Sequence, residues 1–265
     1  MALAILDIEI ILYRAICAAE QEIEWAPDEW TYTVRLGEAK AAVLEEINAV
    51  RSVLPDHQLA IALGDSYSFR YFIWPEYKAA RKKNRKPAGF GALRDWLTSA
   101  ADTHGFAVLK VPQVEADDVI GLYAGPGDVI VSGDKDLLTV PGLHLDEDHQ
   151  VYEVSKKEAD RRFFRQVLTG DTSDGYPGCP KVGEVNANKL LDTFFCSDPA
   201  EPNPHEVWEA ILGAYAKVGL RPVDALIQAR CARILRPGEY DWERNAPRLW
   251  CPPVASREVF EAEAA

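Results

Sequence analysis

Cysteine is scarce. Cys17, Cys179, Cys196, Cys231 and Cys251 are the five in 265 residues, and no close pair has the spacing of zinc ligands. An odd number of scattered thiols fits reduced, structural cysteines and a cytoplasmic setting. The five histidines form no HExxH or related pattern, so a zinc hydrolase of that kind is excluded. Long hydrophobic runs are missing too: the longest fall well short of the roughly 20 residues that cross a bilayer, and no membrane partner is expected. The opening MALAILDIEI lacks a basic n-region and carries Asp7, so it reads as a strand and not as a signal peptide. Basic charge is in deficit, with 29 Lys and Arg against 42 Asp and Glu, a net charge of -13. Taken over the whole chain, that balance argues against indiscriminate nucleic-acid binding. The remaining composition, 48% hydrophobic and 27% charged, is globular and excludes a disordered chain, a collagen or a coiled coil. At this length a core forms without disulfide or metal staples, in one large α/β domain or two compact ones.

The charge is distributed unevenly. Between residues 70 and 94, Arg70, Lys78, Arg81, Lys82, Lys83, Arg85, Lys86 and Arg94 face only Glu76, a net +7, which leaves -20 for the rest. Tyr67, Phe69, Tyr71, Phe72, Trp74 and Tyr77 are interleaved with these cations. Lys and Arg suit phosphates, while aromatics either stack on bases or pack the foot of the segment.

Buried strands are predicted at 2–6, 59–64, 106–111 and 128–132. Helices are predicted at 10–20, 35–54, 88–103 and 115–124. Apolar strands separated by helices indicate an α/β fold with a mostly parallel sheet, which binds ligands beyond the carboxyl ends of its strands. Asp7, Asp65 and Asp134 fall at that rim. After about residue 154 the strand signal ends, and helices at 155–168, 184–195, 205–218 and 221–236 imply a smaller helical region over 155–251. Residues 252–265 read as a polar, Pro-led tail with a flexible composition.

Further carboxylates cluster in short motifs: Glu115-Ala116-Asp117-Asp118, Gly133-Asp134-Lys135-Asp136 and Gly170-Asp171-Thr172-Ser173-Asp174. Glu115 and Asp118, three apart, share a helix face; Asp117 at a helix start can still point toward them. Ionised carboxylates brought together raise one another's pKa or require a cation, and hard divalent ions prefer such oxygen ligands. Two ions about 3.5–4 Å apart would activate water and stabilise both oxygens of a phosphodiester displacement.

Together, LDIEIILYRA, DSYSFRYFIWPEYKAARKKNRKP, VEADDVIG, VSGDKDL, LTGDTSDGYPG and ARILRPGEYDW, in this order, resemble the 5′-nuclease (flap endonuclease-like) family, in particular its branch of 5′–3′ exonucleases from T7-like bacteriophages. The resemblance implies a PIN-like catalytic domain over 1–154 with a helical arch at about 66–90, followed by a helix–three-turn–helix DNA-binding region. It implies metal-dependent hydrolysis of DNA phosphodiesters from a 5′ end or flap, and extends to the RNA strand of a hybrid. By the same resemblance, Asp7, Asp65, Glu115, Asp117 and Asp118 form a first metal cluster. Asp134 and Asp136 bridge to a second formed by Asp171 and Asp174, and Mg²⁺ or Mn²⁺ fills two or more sites. Lys78 and Arg81 match the arch bases that reach the scissile phosphate, and Arg70 matches a basic position where the arch begins. Charge logic assigns Lys82, Lys83, Arg85 and Lys86 to electrostatic steering. Lys181 and Gly183 fall in the turn that holds duplex phosphates, where relatives bind a monovalent cation. The family's usual pattern has glycine where Lys181 stands, and glycine where Ile8 follows Asp7; Glu9 is either an added ligand or solvent-facing. A monomer is expected, with replication proteins acting in trans. Two other readings share part of the pattern: a PIN-type ribonuclease on single-stranded RNA, and a catalytically weak nucleic-acid-binding protein.

Overall fold

The computed structural model describes residues 1–83, 85–146, 148–195 and 202–252. The tail expected beyond Pro252, and Cys196, lie outside the described residues.

The chain begins with β1 (Leu3–Asp7), α1 (Ile8–Ala19), a hairpin of β2 (Glu20–Ala26) and β3 (Glu29–Val34), α2 (Leu36–Val53) and β4 (Gln58–Leu63). A short helix α3 (Arg70–Ile73) and a 3₁₀ turn (Ala79–Lys83) precede α4 (Phe90–His104), β5 (Ala107–Lys110), α5 (Ala116–Tyr123) and β6 (Val129–Val131). A second 3₁₀ turn (Lys135–Thr139) leads to β7 (Gly142–Leu145) and β8 (Val151–Val154). Then come α6 (Lys156–Thr169), α7 (Glu184–Phe195), α8 (Pro204–Lys217), α9 (Pro222–Ala232) and a small pair, β9 (Tyr240–Asp241) and β10 (Ala246–Pro247).

The main sheet has the order β5-β4-β1-β6-β7-β8, and β1 pairs in parallel with both β4 and β6. Alternation sorts its apolar side chains onto two faces. Ala4, Leu6, Leu59, Ile61 and Leu63 join one core with α1, α2 and α4. Ile5, Ala60 and Ala62 are equally buried from the other face, and α5 packs against β1 and β4. This is the mostly parallel, helix-flanked sheet that the apolar runs predicted. A second core joins Phe163, Phe164, Val167, Leu168, Leu191, Trp208, Ile211 and Tyr215 of α6, α7 and α8 with Ala225 and Ala229 of α9. Local signals set these helix ends: Ser155 accepts from Glu158 N at 3.2 Å, and Asn203 accepts from His205 N at 3.1 Å ahead of Pro204. Among the described residues no helix is long and apolar enough to cross a membrane.

Two readings of the organisation need correction. The compact units are not divided at 154: the described residues of one fall within 1–66, 85–133 and 142–152, and those of the other within 67–83, 134–141 and 153–252. The first half of the basic segment thus packs with the C-terminal helices. Arg70 is the physical reason: it is 1% exposed, its Nε donates to Cys231 O at 2.9 Å and its Nη2 to Arg233 O at 2.6 Å. The second correction is that strand structure continues beyond the four predicted strands. The β2–β3 hairpin is exposed along most of its length and has no apolar face to betray it, while β7 to β10 are two to four residues long.

Candidate active site

In the first unit the carboxylates sit at the carboxyl ends of parallel strands. Asp7 ends β1 in register with Ala62 of β4; it is 8% exposed and accepts from the Ser132 hydroxyl at 2.8 Å. Asp65 follows β4 and accepts from Gln113 N at 2.9 Å and Ser66 N at 2.7 Å. The Gln113 amide, foremost, holds its carboxyl below the usual aspartate range, which keeps it ionised.

Glu115, Asp117 and Asp118 come together at the start of α5, with one oxygen of each mutually within 4.8 Å. The helix start explains this crowding. Asp118 Oδ2 accepts from Glu115 N at 3.1 Å, and Asp117 Oδ1 accepts from Asp118 N at 2.8 Å, so amides that have no partner in the first turn anchor two of the three. Gly64 makes room: a Cβ there would lie 2.9 Å from Ala116 N, so only glycine lets the end of β4 approach α5 so closely. Three oxygens at this separation suit a hard divalent ion with water completing its shell. Asp7 and Asp65 lie outside this closest group.

Glu9 is not a member of that group; partly exposed, it is held by an ion pair and a backbone amide. Its Oε1 lies 3.2 Å from Arg94 Nη2 and 3.3 Å from Gly64 N, and Arg94 also donates to the Gly64 carbonyl. Ile8 is a fully buried core residue that opens α1. Gly64 was not picked out from the sequence, and Arg94 was read there only as one charge of the basic segment. Only the position of Gly64 at a strand end beside Asp65 carried a signal.

The second unit holds the other carboxylates. Asp134 caps the 3₁₀ turn by accepting from Asp136 N at 2.9 Å, and Asp136 Oδ1 accepts from Gln166 Nε2 on α6 at 2.5 Å. Burial first, then the charges of Asp134, Asp171 and Asp174, push the Asp136 carboxyl up to about 6. Asp171 Oδ1 accepts from Ser173 N at 2.6 Å and Asp174 N at 3.1 Å, fixing the Asp-Thr-Ser-Asp turn.

Asp174 is the most heavily contacted of these acids. Tyr77 donates its hydroxyl at 2.8 Å, Arg81 Nη2 lies at 2.6 Å and Lys78 Nζ at 3.6 Å. Lys78 N also donates to Asp174 O at 2.7 Å, and Trp74 Nε1 to Gly175 O at 2.9 Å. Residues 74–81 are therefore stitched onto the turn after α6, and the two arch bases singled out by the resemblance stand beside a carboxylate. Gln166, which places Asp136, carried no sequence signal, and Tyr77, which places Asp174, was read only as one aromatic of the basic segment; both roles need the tertiary fold.

The other cations divide. Arg70, expected to meet nucleic acid, cannot do so: buried and bonded to two carbonyls, it is a structural tie. Arg85 is half exposed and forms a two-pronged pair with Glu20, with Nη1 to Oε1 at 2.9 Å, while its guanidinium lies 3.6 Å from the centroid of the Tyr32 ring. Lys86 is exposed. The side chains of Lys82 and Lys83 lie outside the described residues. In the turn before α7, Lys181 adopts φ +66°, in the left-handed region that favours glycine, and is exposed; Gly183 is exposed with open space around it.

The Glu20 clamp makes a pH prediction. The Arg85 bond, then the Ala88 backbone N–H, hold the Glu20 carboxyl down at about 2. A depressed acid stabilises the fold above its unfolded pKa, and that contribution is lost as pH falls through its folded value. A ¹³C carboxyl titration should therefore find Glu20 ionised well below pH 4. Arg85→Ala should raise it toward the ordinary glutamate value of about 4.3, with the Ala88 bond still holding it somewhat below.

Comparison with known proteins agrees with this arrangement. Residues 2–167 match the family model for the 5′-3′ exonuclease, N-terminal resolvase-like domain. The chain belongs to this 5′–3′ exonuclease family. It is 27% identical to the exonuclease of Escherichia phage T7, over 94% of this chain and 93% of that protein. It is 26% identical to the exodeoxyribonuclease of Enterobacteria phage T3, over 94% and 92%. Among solved structures, the T5 D15 protein co-crystallised with metal ions superposes with a TM-score of 0.58 at 15% identity, covering 87% of this chain and 91% of that one. At that identity the likeness concerns the fold.

Proposed function

We propose that this protein is a metal-dependent 5′–3′ exonuclease that recognises DNA ends or flaps by structure and hydrolyses their phosphodiesters. The observation that carries the reading is the Glu115-Asp117-Asp118 cluster at the rim of a parallel sheet, in a chain of the 5′–3′ exonuclease family. A divalent ion bound by such carboxylates, Mg²⁺ or Mn²⁺, supplies Lewis-acid charge to a phosphoryl oxygen and acidifies water.

The chain's own residues do the rest. Asp117 and Asp118 are pre-positioned by backbone amides, so their oxygens need little rearrangement before ligation. Asp7 and Asp65 add negative charge at the same strand ends. Asp134, Asp136, Asp171 and Asp174 are offered as the ligands of a second metal region. Lys78 and Arg81 neutralise charge on the phosphoryl oxygens, Arg as a bidentate fork and Lys as a point charge. Lys86, with Lys82 and Lys83, steers the strand. The Lys181–Gly183 turn and the start of α7 hold the duplex phosphates, with room for a monovalent cation. The protein acts as a monomer in the cytoplasm, with any replication partner in trans.

Cleavage of 5′-labelled duplex, flap, RNA–DNA hybrid and single-stranded RNA, with and without Mg²⁺, tests the reading. Metal-dependent release from DNA 5′ ends is expected. Cleavage confined to single-stranded RNA would favour a PIN-type ribonuclease, and binding without turnover a nucleic-acid-binding protein. Within the same assay, Lys78→Ala should slow single-turnover cleavage of bound DNA by roughly 10²-fold while changing affinity little. A normal rate at saturating enzyme would remove Lys78 from the phosphate.

A further inference from the structure

The β2–β3 hairpin takes no part in the activity proposed above. It lies outside the six-stranded sheet, and residues 20–34 carry Glu20, Glu22, Glu24, Asp28 and Glu29 with no Lys or Arg. Its aromatics face solvent: Trp30 is 48% and Tyr32 41% exposed. Cross-strand register sets Glu20 opposite Val34, Glu22 opposite Tyr32 and Glu24 opposite Trp30. Side chains two apart share a face, so three glutamates and two aromatics line one side of the ribbon.

One end of that face already binds a guanidinium. Arg85 takes its fork from Glu20 and its stacking surface from Tyr32, the aromatic opposite the next glutamate along. One pleat further, about 7 Å on, the same relation recurs between Glu22 and Trp30, with Glu24 beside them. Glu22 Oε1 accepts from the Tyr32 hydroxyl at 2.7 Å, which holds the carboxylate on the exposed ribbon. Among the described residues no cation covers Trp30.

We propose that Glu22, Glu24 and Trp30 form a docking site for an arginine side chain presented by a protein partner. Five acids without a base repel a nucleic-acid backbone and attract a cationic surface. A planar guanidinium satisfies carboxylate and aromatic face together, as Arg85 does, whereas an ammonium offers only a point charge. Trp and Arg are also the side chains that anchor protein interfaces most often.

The full chain labelled with 5-fluorotryptophan provides the test, with the Trp30 ¹⁹F resonance assigned through Trp30→Phe. A blocked Gly-Arg-Gly-Arg-Gly peptide should shift that resonance saturably, and its lysine counterpart should bind at least about fivefold more weakly. Glu22→Gln with Glu24→Gln should abolish the shift while leaving the Arg85 clamp and DNA cleavage unchanged. An equal response to the lysine peptide, a response that survives the double substitution, or no response at all would overturn the proposal. So would a shift produced by a single-stranded oligonucleotide in place of the arginine peptide.

Discussion

Asp117→Asn should cut Mg²⁺-dependent DNA cleavage by roughly 10³-fold, since a lost ligand forfeits several kcal/mol of charge stabilisation and each 1.36 kcal/mol is about tenfold in rate. The fold should be untouched, because the amide oxygen of asparagine can still accept from Asp118 N, as Asp117 Oδ1 does now at 2.8 Å. Circular dichroism and thermal unfolding should match the parent. Mn²⁺ affinity measured by calorimetry should fall alongside the rate, which separates a ligand from a residue that only shapes α5. Near-parental cleavage in Mg²⁺ would sink the assignment of the cluster.

The second large effect concerns stability. Gly170, at the end of α6, and Gly178 approach each other so closely that a Cβ on Gly170 would lie 2.4 Å from Pro177 C, and one on Gly178 2.2 Å from Gly170 N. Both adopt left-handed φ, +68° and +66°. Gly170→Ala therefore combines backbone strain of about 1–2 kcal/mol with an overlap of roughly 1–3 kcal/mol against main chain that cannot swing aside. Loss of about 2–5 kcal/mol is expected, a large share of the total for a marginally stable domain. Urea titration should show a lowered midpoint. The turn bearing Asp171 and Asp174 should loosen with it, so a midpoint equal to the parent's would refute the argument.

The sheet and the acids were legible for different reasons. ALAIL and LAIALG are apolar without interruption because both faces of β1 and β4 are covered, and parallel strands of that kind announce themselves. Asp7, Asp65 and Asp134 were legible because each follows such a strand, and Glu115, Asp117 and Asp118 because they crowd into one short motif. Asp171 and Asp174 stood out because the Gly-Asp-x-x-Asp-Gly spacing makes a turn. What stayed hidden depends on distant partners. Nothing in the sequence distinguishes Arg70, spent on two buried carbonyls, from Lys86, which is exposed; both read as charge in one basic run. Gln166 is one polar residue on a charged helix until Asp136 is brought to it. The β2–β3 hairpin escaped because its register rests on Glu–aromatic pairs across the strands, and burial leaves no imprint on it.

The bonds from Arg70 to the carbonyls of Cys231 and Arg233 also have a consequence for biosynthesis. Residues 67–83 belong to a unit completed only by residues made more than 160 positions later. At translation speeds of about 5–20 residues per second, that segment waits roughly 10–30 s on the ribosome before its partners emerge. During that interval six aromatics and a cluster of cations have no native place to go. A nascent chain arrested before Cys231 should therefore be cut by protease within residues 67–83, and should become resistant there once synthesis passes Arg236.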